Sequence, residues 1–504
     1  MISADAAPSG SSPSGGAGAP VVPTDREANS GSQVVMLALV AALGGFLFGY
    51  DSAVINGGVN AIGERFDLSP GMLGFVVSCA LLGAMAGAWF AGSLADRIGR
   101  TRAMVVAAIF FTLSAIGSWA TVTAWDLVLW RALGGAGIGM ASVLAPAYIA
   151  EISPSQVRGR LGSLQQLAIV VGLFSALLVD AWLAGLAGGA AQDLWFGLEA
   201  WRWMFLSELL PALVYGALAL SIPESPRFMV AQGKEAEAAH LLRDVVGLRG
   251  EEVEAKLDDI RATINTEKRQ TLSDLAGAAA GLKPIVWIGI LLSVFQQFVG
   301  INVIFYFGST LWQAVGFGES QALLINVGTS ITNIVVTVVA ILIVDRVGRR
   351  PMLLAGSAGM TLSLAAMALA FSHATVSGSG AEQSVSLPDP WGPIALAAAN
   401  LFIVAFGITW GPIVWVLLGE MFPNNIRSVA LGVAAAAQWL ANFVITTTFP
   451  WLADVSLTLA YGLYAAFSLL SLVFVWRYVG ETRGKELEEM GDGAHQRVAA
   501  PVPA

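Results

Sequence analysis

Asp96-Arg97-Ile98-Gly99-Arg100 returns in the second half of the chain as Asp345-Arg346-Val347-Gly348-Arg349. Each copy lies between two long apolar stretches. Working outward, Glu151-Ile-Ser-Pro154 with Arg158 and Glu420-Met-Phe-Pro423 with Arg427 share the spacing E-x-x-P-x-x-x-R. Pro223-Glu224-Ser225-Pro226-Arg227 and Glu481-Thr482-Arg483-Gly484 close the two series. Three paired motifs in one order imply duplication of a unit. Between them we read twelve apolar stretches, near 34–56, 72–93, 103–122, 127–149, 162–184, 202–221, 284–313, 322–344, 351–372, 393–418, 429–449 and 457–477. The expected fold is therefore an all-α polytopic membrane protein with twelve transmembrane helices in two six-helix halves. Internal repeats of this kind are typical of transporters, with the site near the midplane where the halves meet.

Composition supports the same class. With 56% hydrophobic residues, 12% charged residues and a mean hydropathy of +0.71, a soluble domain of 504 residues is implausible. Fifty-six glycines suit helices that approach closely or bend. A single Cys79 rules out an internal disulfide and a cysteine-rich metal site. If both termini are cytoplasmic, 23 of the 26 Lys and Arg residues fall on the inner side, the others being Arg65, Arg131 and Arg202. The reverse orientation violates the positive-inside rule almost everywhere.

Residues 1–32 are rich in Ala, Ser, Gly and Pro and read as a disordered cytoplasmic tail without signal-peptide features. The N-terminal half is expected at 33–221 and the C-terminal half at 284–478, with a cytoplasmic tail at 479–504. Between the halves, 222–283 carries 11 acids and 9 bases with helical apolar spacing at Ala238, Leu241, Leu242 and Val245. It reads as a cytosolic linker of short solvated helices.

The first span, GGFLFGYDSAVINGGVN from Gly44 to Asn60, carries an acid, Asp51. Counting about 1.5 Å per residue from Met36 puts Asp51 roughly 22 Å into a core of about 30 Å. A charge there costs at least about 2.5 kcal/mol, so it is expected to face protein or water and to have a function. Arg131 in span four and Glu208 in span six fall at a similar depth, and Arg131 is the only deep base of that half. Burial disfavours the charged carboxylate and a neighbouring guanidinium favours it. Asp51 is accordingly expected to pair with Arg131 when ionised and to release it when protonated, with Glu208 tuning the site or carrying protons. The alternative is a permanent structural pair. None of the histidines, His240, His373 and His495, lies deep in a span.

The paired motifs, together with Arg131 to Gly139 (RxxxGxGxG), Gln296 to Asn302 (QQFVGIN) and Gly411 to Pro423 (GPxxWxxxGExFP), make the chain resemble the sugar porters of the major facilitator superfamily over about residues 34–490. The resemblance is greatest to bacterial glucose and hexose proton symporters. It implies a monosaccharide and protons as partners, no cofactor, no nucleic acid and no enzymatic activity, in a multi-pass plasma-membrane monomer held by the lipid bilayer. It also implies proton coupling, since proton-coupled members tend to carry Asp where facilitators often have an uncharged residue.

Acids and arginines at helix ends can form bidentate ion pairs between neighbouring helices. The resemblance casts Asp96, Arg97, Arg100, Glu151, Arg158, Glu224, Arg227, Asp345, Arg346, Arg349, Glu420, Arg427 and Glu481 as a cytoplasmic gate whose pairs form when it shuts and part when it opens.

A sugar is a ring of hydroxyls, each donor and acceptor, which primary amides match. Gln166 in span five, Gln296, Gln297, Asn302 and Tyr306 in span seven, Asn333 in span eight, Gly411 and Trp415 in span ten, and Gln438 with Asn442 in span eleven match binding positions of the family. Leu173 stands seven residues past Gln166, where some pentose porters that resemble this chain carry a second glutamine. That apolar residue suits a hexose, D-glucose first. A uniporter is the rival within transport. A sugar sensor is a rival of another class, although only about 27 residues follow the last span. Walker-type loops, metal clusters and nucleophile triads are absent from the sequence, which leaves ATP-driven pumping and catalysis without support.

Overall fold

The first span is not one helix. It runs as α-helix from Asp25 to Ala53, tightens into a 3-10 turn at Asn56–Gly58 and resumes from Val59 to Arg65. The computed structural model describes residues 25–153, 158–266, 271–277, 281–377, 384–423 and 426–481. Within these, twelve helices are long and apolar enough to cross a membrane: Ser32–Arg65, Pro70–Ile98, Arg100–Ala120, Ala124–Ile152, Leu161–Ala187, Ala200–Ser221, Pro284–Tyr306, Glu319–Ile343, Arg349–Phe371, Trp391–Met421, Val429–Val455 and Leu457–Tyr478. We refer to them as spans one to twelve.

Helix starts at Asp25, ahead of the expected tail boundary. The rest of that tail, and the terminal segment beyond Glu481, lie outside the described residues.

Spans one and seven, which correspond in the two halves, are both broken. Span seven stops at Phe298, passes through Gly300 in a left-handed conformation (φ 81°), runs from Ile301 to Tyr306 and restarts as a further helix, Gly308–Ala314. A side chain at Gly300 would be strained by its φ and would overlap the ring of Tyr464. Span six breaks at Glu208 and span ten at Thr409. Glycine also sets how closely spans two and four approach. A Cβ at Gly83, Gly87, Gly135 or Gly139 would overlap backbone of the opposite span.

The halves meet where span two packs on span eleven and span five on span eight. The linker joins them on the side we call the linker side. Its helices, Pro226–Ala231, Glu235–Asp244 and Gly250–Thr266, bury a small core of Val230, Ala238, Leu242, Val253 and Leu257. Arg261 clamps this core, donating to both Glu235 oxygens at 3.0 and 2.7 Å. That guanidinium holds the exposed Glu235 carboxyl below its ordinary value. The clamp is therefore complete above the ordinary carboxylate range and is lost only as acid protonates Glu235 below it. Short hairpins, Asp193–Trp195 with Leu198–Glu199 and Thr375–Ser377 with Ser384–Ser386, cover the far side. No apolar alternation announces them in the sequence.

Candidate functional site

Asp51 sits two residues before the end of the first helix, so its backbone carbonyl is among those that a helix terminus leaves without a partner. Arg131 Nη1 donates at 2.9 Å both to that carbonyl and to Asp51 Oδ1. The pair is sealed from solvent, each side chain being 1% exposed. The guanidinium also lies over the ring of Phe205, 5.6 Å from its centroid. Glu208, fully buried at the break in span six, brings its carboxyl against that of Asp51. Its two oxygens and Asp51 Oδ2 meet no N–H or O–H donor among the described residues. Two carboxyl groups can join by a hydrogen bond only if one carries a proton. One guanidinium thus faces two acids, and the cluster is neutral when it holds one proton.

A chain of amides lies beside it. Asn302 donates to Gln297 Oε1 (2.7 Å), Gln297 to Gln296 Oε1 (3.4 Å), and Gln296 to the carbonyls of Trp410 and Gly411 (2.9 and 3.2 Å). The broken part of span seven is thereby tied to the break in span ten. Tyr306 lies beside Ser52 of span one and Asn442 of span eleven, within electrostatic reach of Asp51 and Arg131. This phenol thus stands between Asn442 and the charged cluster. Asn442 accepts from Thr446 at 3.1 Å, and buried Gln438 keeps an amide oxygen without a donor among the described residues. Gln166 is half-buried and Trp415 is 42% exposed. Leu173 is buried where spans one and five cross at Gly49. Asn333, in contrast, lies against Gly407 on span ten, and no bond among the described residues ties it to the amide chain.

On the far side the two halves are hydrogen-bonded to each other. In a continuous helix, Ser309 N–H would donate to the Phe305 carbonyl. The helix breaks there, and the Asn56 side chain takes both positions: its amide donates to Phe305 O (2.6 Å) and its oxygen accepts from Ser309 N (3.3 Å). Ser309 Oγ donates to Asn56 O, Asn326 donates to Asn56 Oδ1 (3.0 Å), and Thr310 donates to Asn60 (2.8 Å). Ser78 and Thr447 hydroxyls meet at 2.6 Å, and Ala190 N–H donates to Glu319 at 2.7 Å.

On the linker side the paired motifs match atom for atom. Arg100 N and Thr101 N donate to Glu224, as Arg349 N and Arg350 N donate to Glu481. Each carboxylate caps the N-terminus of the following span. Arg100 reaches Glu151 at 3.2 Å and Asp96 at 3.1 Å, and Arg349 reaches Glu420 at 2.9 Å. Gly99 and Gly348 precede these caps with φ 99°, and a Cβ on either would press on the carboxylate. Arg427 donates through Nε to the Phe422 carbonyl at 3.0 Å. Arg97 is exposed, and Arg227 and Arg346 are engaged in further interactions. The side chains of Arg158 and Asp345 lie outside the described residues. These pairs join neighbouring helices of the same half, because each carboxylate serves a helix terminus of its own bundle. They brace each half rather than latch one to the other.

Sequence reasoning passed over Asn56, Gln165 and Asp180. Gln165 is buried against Gly45 with neither amide atom bonded among the described residues. Asp180 is an acid inside span five, as conspicuous in an apolar run as Asp51.

An internally duplicated, membrane-embedded bundle with broken helices around a buried polar site is a secondary carrier. The chain belongs to the sugar (and other) transporter family, whose model matches residues 37–493. It is 54% identical over 459 residues to a glucose transport protein of Synechocystis, covering 91% of this chain and 97% of that protein. It is 35% identical over 492 residues to the D-xylose-proton symporter of Escherichia coli, covering 91% and 95%. Among solved structures it is similar to the xylose transporter XylE from E. coli in a partially occluded, inward-open conformation, with a TM-score of 0.77 and 33% identity over 90% of this chain and all of that one.

Proposed function

We propose that the chain imports a neutral monosaccharide, D-glucose or a related hexose, together with a proton, by alternating access. The observation that carries the coupling is the excess of one buried carboxyl over the single guanidinium at Asp51, Glu208 and Arg131. An unpaired buried charge is expensive, so the closed cluster keeps a proton and an opened, hydrated one can give it up. Asp51 lies in the broken span whose far end, at Asn56, seals the far side, so protonation is linked mechanically to access. The sugar is held by Gln166, Gln296, Gln297, Asn302, Gln438 and Asn442, with Trp415 against the C–H face of the ring and Tyr306 connecting sugar and proton sites. Asn333 remains a peripheral candidate. Glucose is favoured by the Synechocystis relative and by apolar Leu173.

The linker side and both termini are assigned to the cytoplasm by the distribution of Lys and Arg, and the protein to the cell membrane as a functional monomer. The domain limits of the sequence analysis stand as part of this reading, with the first helix extended to Asp25. Uptake of labelled D-glucose, D-galactose and D-xylose into proteoliposomes, with and without an imposed pH difference, tests it. Asp51→Asn is expected to abolish accumulation against a gradient while retaining sugar exchange. Accumulation by that variant would place the coupling elsewhere, and a wild type that never accumulates sugar under an imposed pH difference would be a uniporter.

A further inference from the structure

Asp180, on span five, is fully buried. Its Oδ2 accepts from Gly57 N–H at 3.1 Å, while Oδ1 has no hydrogen-bond partner among the described residues. Gly57 lies in the 3-10 turn Asn56–Gly58, next to the residue that splices span one into the break of span seven. A Cβ at Gly57 would overlap the Asp180 carboxyl, so turn and acid are in direct contact.

The other titratable groups on the elements around Asp180 are engaged elsewhere. Asp51, Arg131 and Glu208 form their own cluster. Arg202 pairs with Glu199 and with two backbone carbonyls, Glu319 accepts from Ala190, and exposed Asp193 belongs to the covering hairpin. Tyr50, whose hydroxyl meets Ser207 Oγ at 2.6 Å, is the titratable group within electrostatic reach. Among the described residues no cation balances this carboxyl.

We propose that Asp180 is a second proton-binding site, separate from the Asp51 cluster, whose protonation holds the far-side seal closed. In the sealed form the acid is dry and unpaired, so it is neutral. Once the turn swings away, water reaches the carboxyl and the charged form is tolerated. The open form thus releases the proton to the far-side solution, and closure takes one up. This rests on the alternating-access reading but not on where the transport coupling resides.

The test uses the full chain in lipid nanodiscs, on a Cys79→Ser background, with spin labels at Gly71→Cys and Ser320→Cys. Both positions are exposed, on far-side ends of spans two and eight, and a side chain at Gly71 meets open space. Wild type is expected to show a short inter-label distance at acid pH. A longer population should grow on raising pH, by up to about tenfold per pH unit, the one-proton limit. Asp180→Asn keeps an acceptor for Gly57 N–H without a charge, and is expected to lose most of the rise of the longer population with pH. Asp51→Asn removes what the coupling cluster contributes and is expected to keep the rise that Asp180 supplies, which Asp51→Asn with Asp180→Asn then loses. The assignment is overturned if Asp180→Asn responds to pH like wild type, if wild type does not respond, or if Asp51→Asn alone removes the response. A changed low-pH distance in Asp180→Asn would overturn it too, since the amide reproduces the hydrogen bond of the neutral acid.

Discussion

Arg131 satisfies two acceptors of Asp51 through one nitrogen, and this geometry separates its structural role from its transport role. Arg131→Ala leaves an orphaned carbonyl and an uncompensated acid in a dry site. Losing one partner of a buried pair costs about 3–5 kcal/mol. We expect a marked drop in the melting temperature of the purified protein. Removing both charges, with Asp51→Asn and Arg131→Gln together, is expected to recover most of that stability without uphill transport. If the double variant melts as low as Arg131→Ala, the single loss reflects packing against Phe205 rather than the exposed charge. Such residues were legible in sequence because an acid or base inside an apolar run is conspicuous. The proximity of Glu208 to Asp51 was legible as a common depth. That its carboxyl turns toward Asp51 depends on the break in span six, for which the local signal is Pro211, whose missing N–H leaves the Ser207 carbonyl without its helical partner.

Breaks in the helices were the least legible feature, and they carry most of the far-side seal. Span seven read as one stretch from 284 to 313, and its first interruption lies at the left-handed Gly300. The second, near Phe307, is maintained by an amide from another half of the molecule, so nothing local encodes it. Asn56→Ala removes both replacement bonds. In the sealed form it leaves Phe305 O and Ser309 N dry, whereas in the open form water meets them. A buried unsatisfied group costs about 1–3 kcal/mol, so the closed population should fall at least about tenfold. Labelling of Thr310→Cys by a membrane-impermeant maleimide reads this out, with the Asn56→Ala variant reacting faster than its parent. Equal rates would mean that the seal depends on other contacts. The linker-side braces were more legible, because duplication printed the same residues twice. Their partners within each half were not, since sequence spacing does not say which helix end a carboxylate will cap.

The twelve spans and the twofold repeat follow from hydrophobicity and motif order, and the whole molecule bears both out. What the repeat does not specify is which side is closed. In this structure the braces within each half leave two rigid bodies, while Asn56, Thr310 and the Ser78–Thr447 contact join them on the far side. If transport is a rocking of these bodies, covalent closure of one side must stop it while leaving the site reachable from the other. The Ser78 and Thr447 hydroxyls, 2.6 Å apart, mark a place where two thiols can meet without moving the backbone far. Ser78→Cys with Thr447→Cys, on a Cys79→Ser background, is expected to lose sugar uptake on oxidation and to regain it with reductant. Sugar binding measured in detergent, where the linker side is open to solution, should survive oxidation with little change in affinity. Uptake that persisted in the fully oxidised protein would show that spans two and eleven do not separate on the far side during the cycle. The opening would then have to pass between spans one and seven alone, hinging on Asn56.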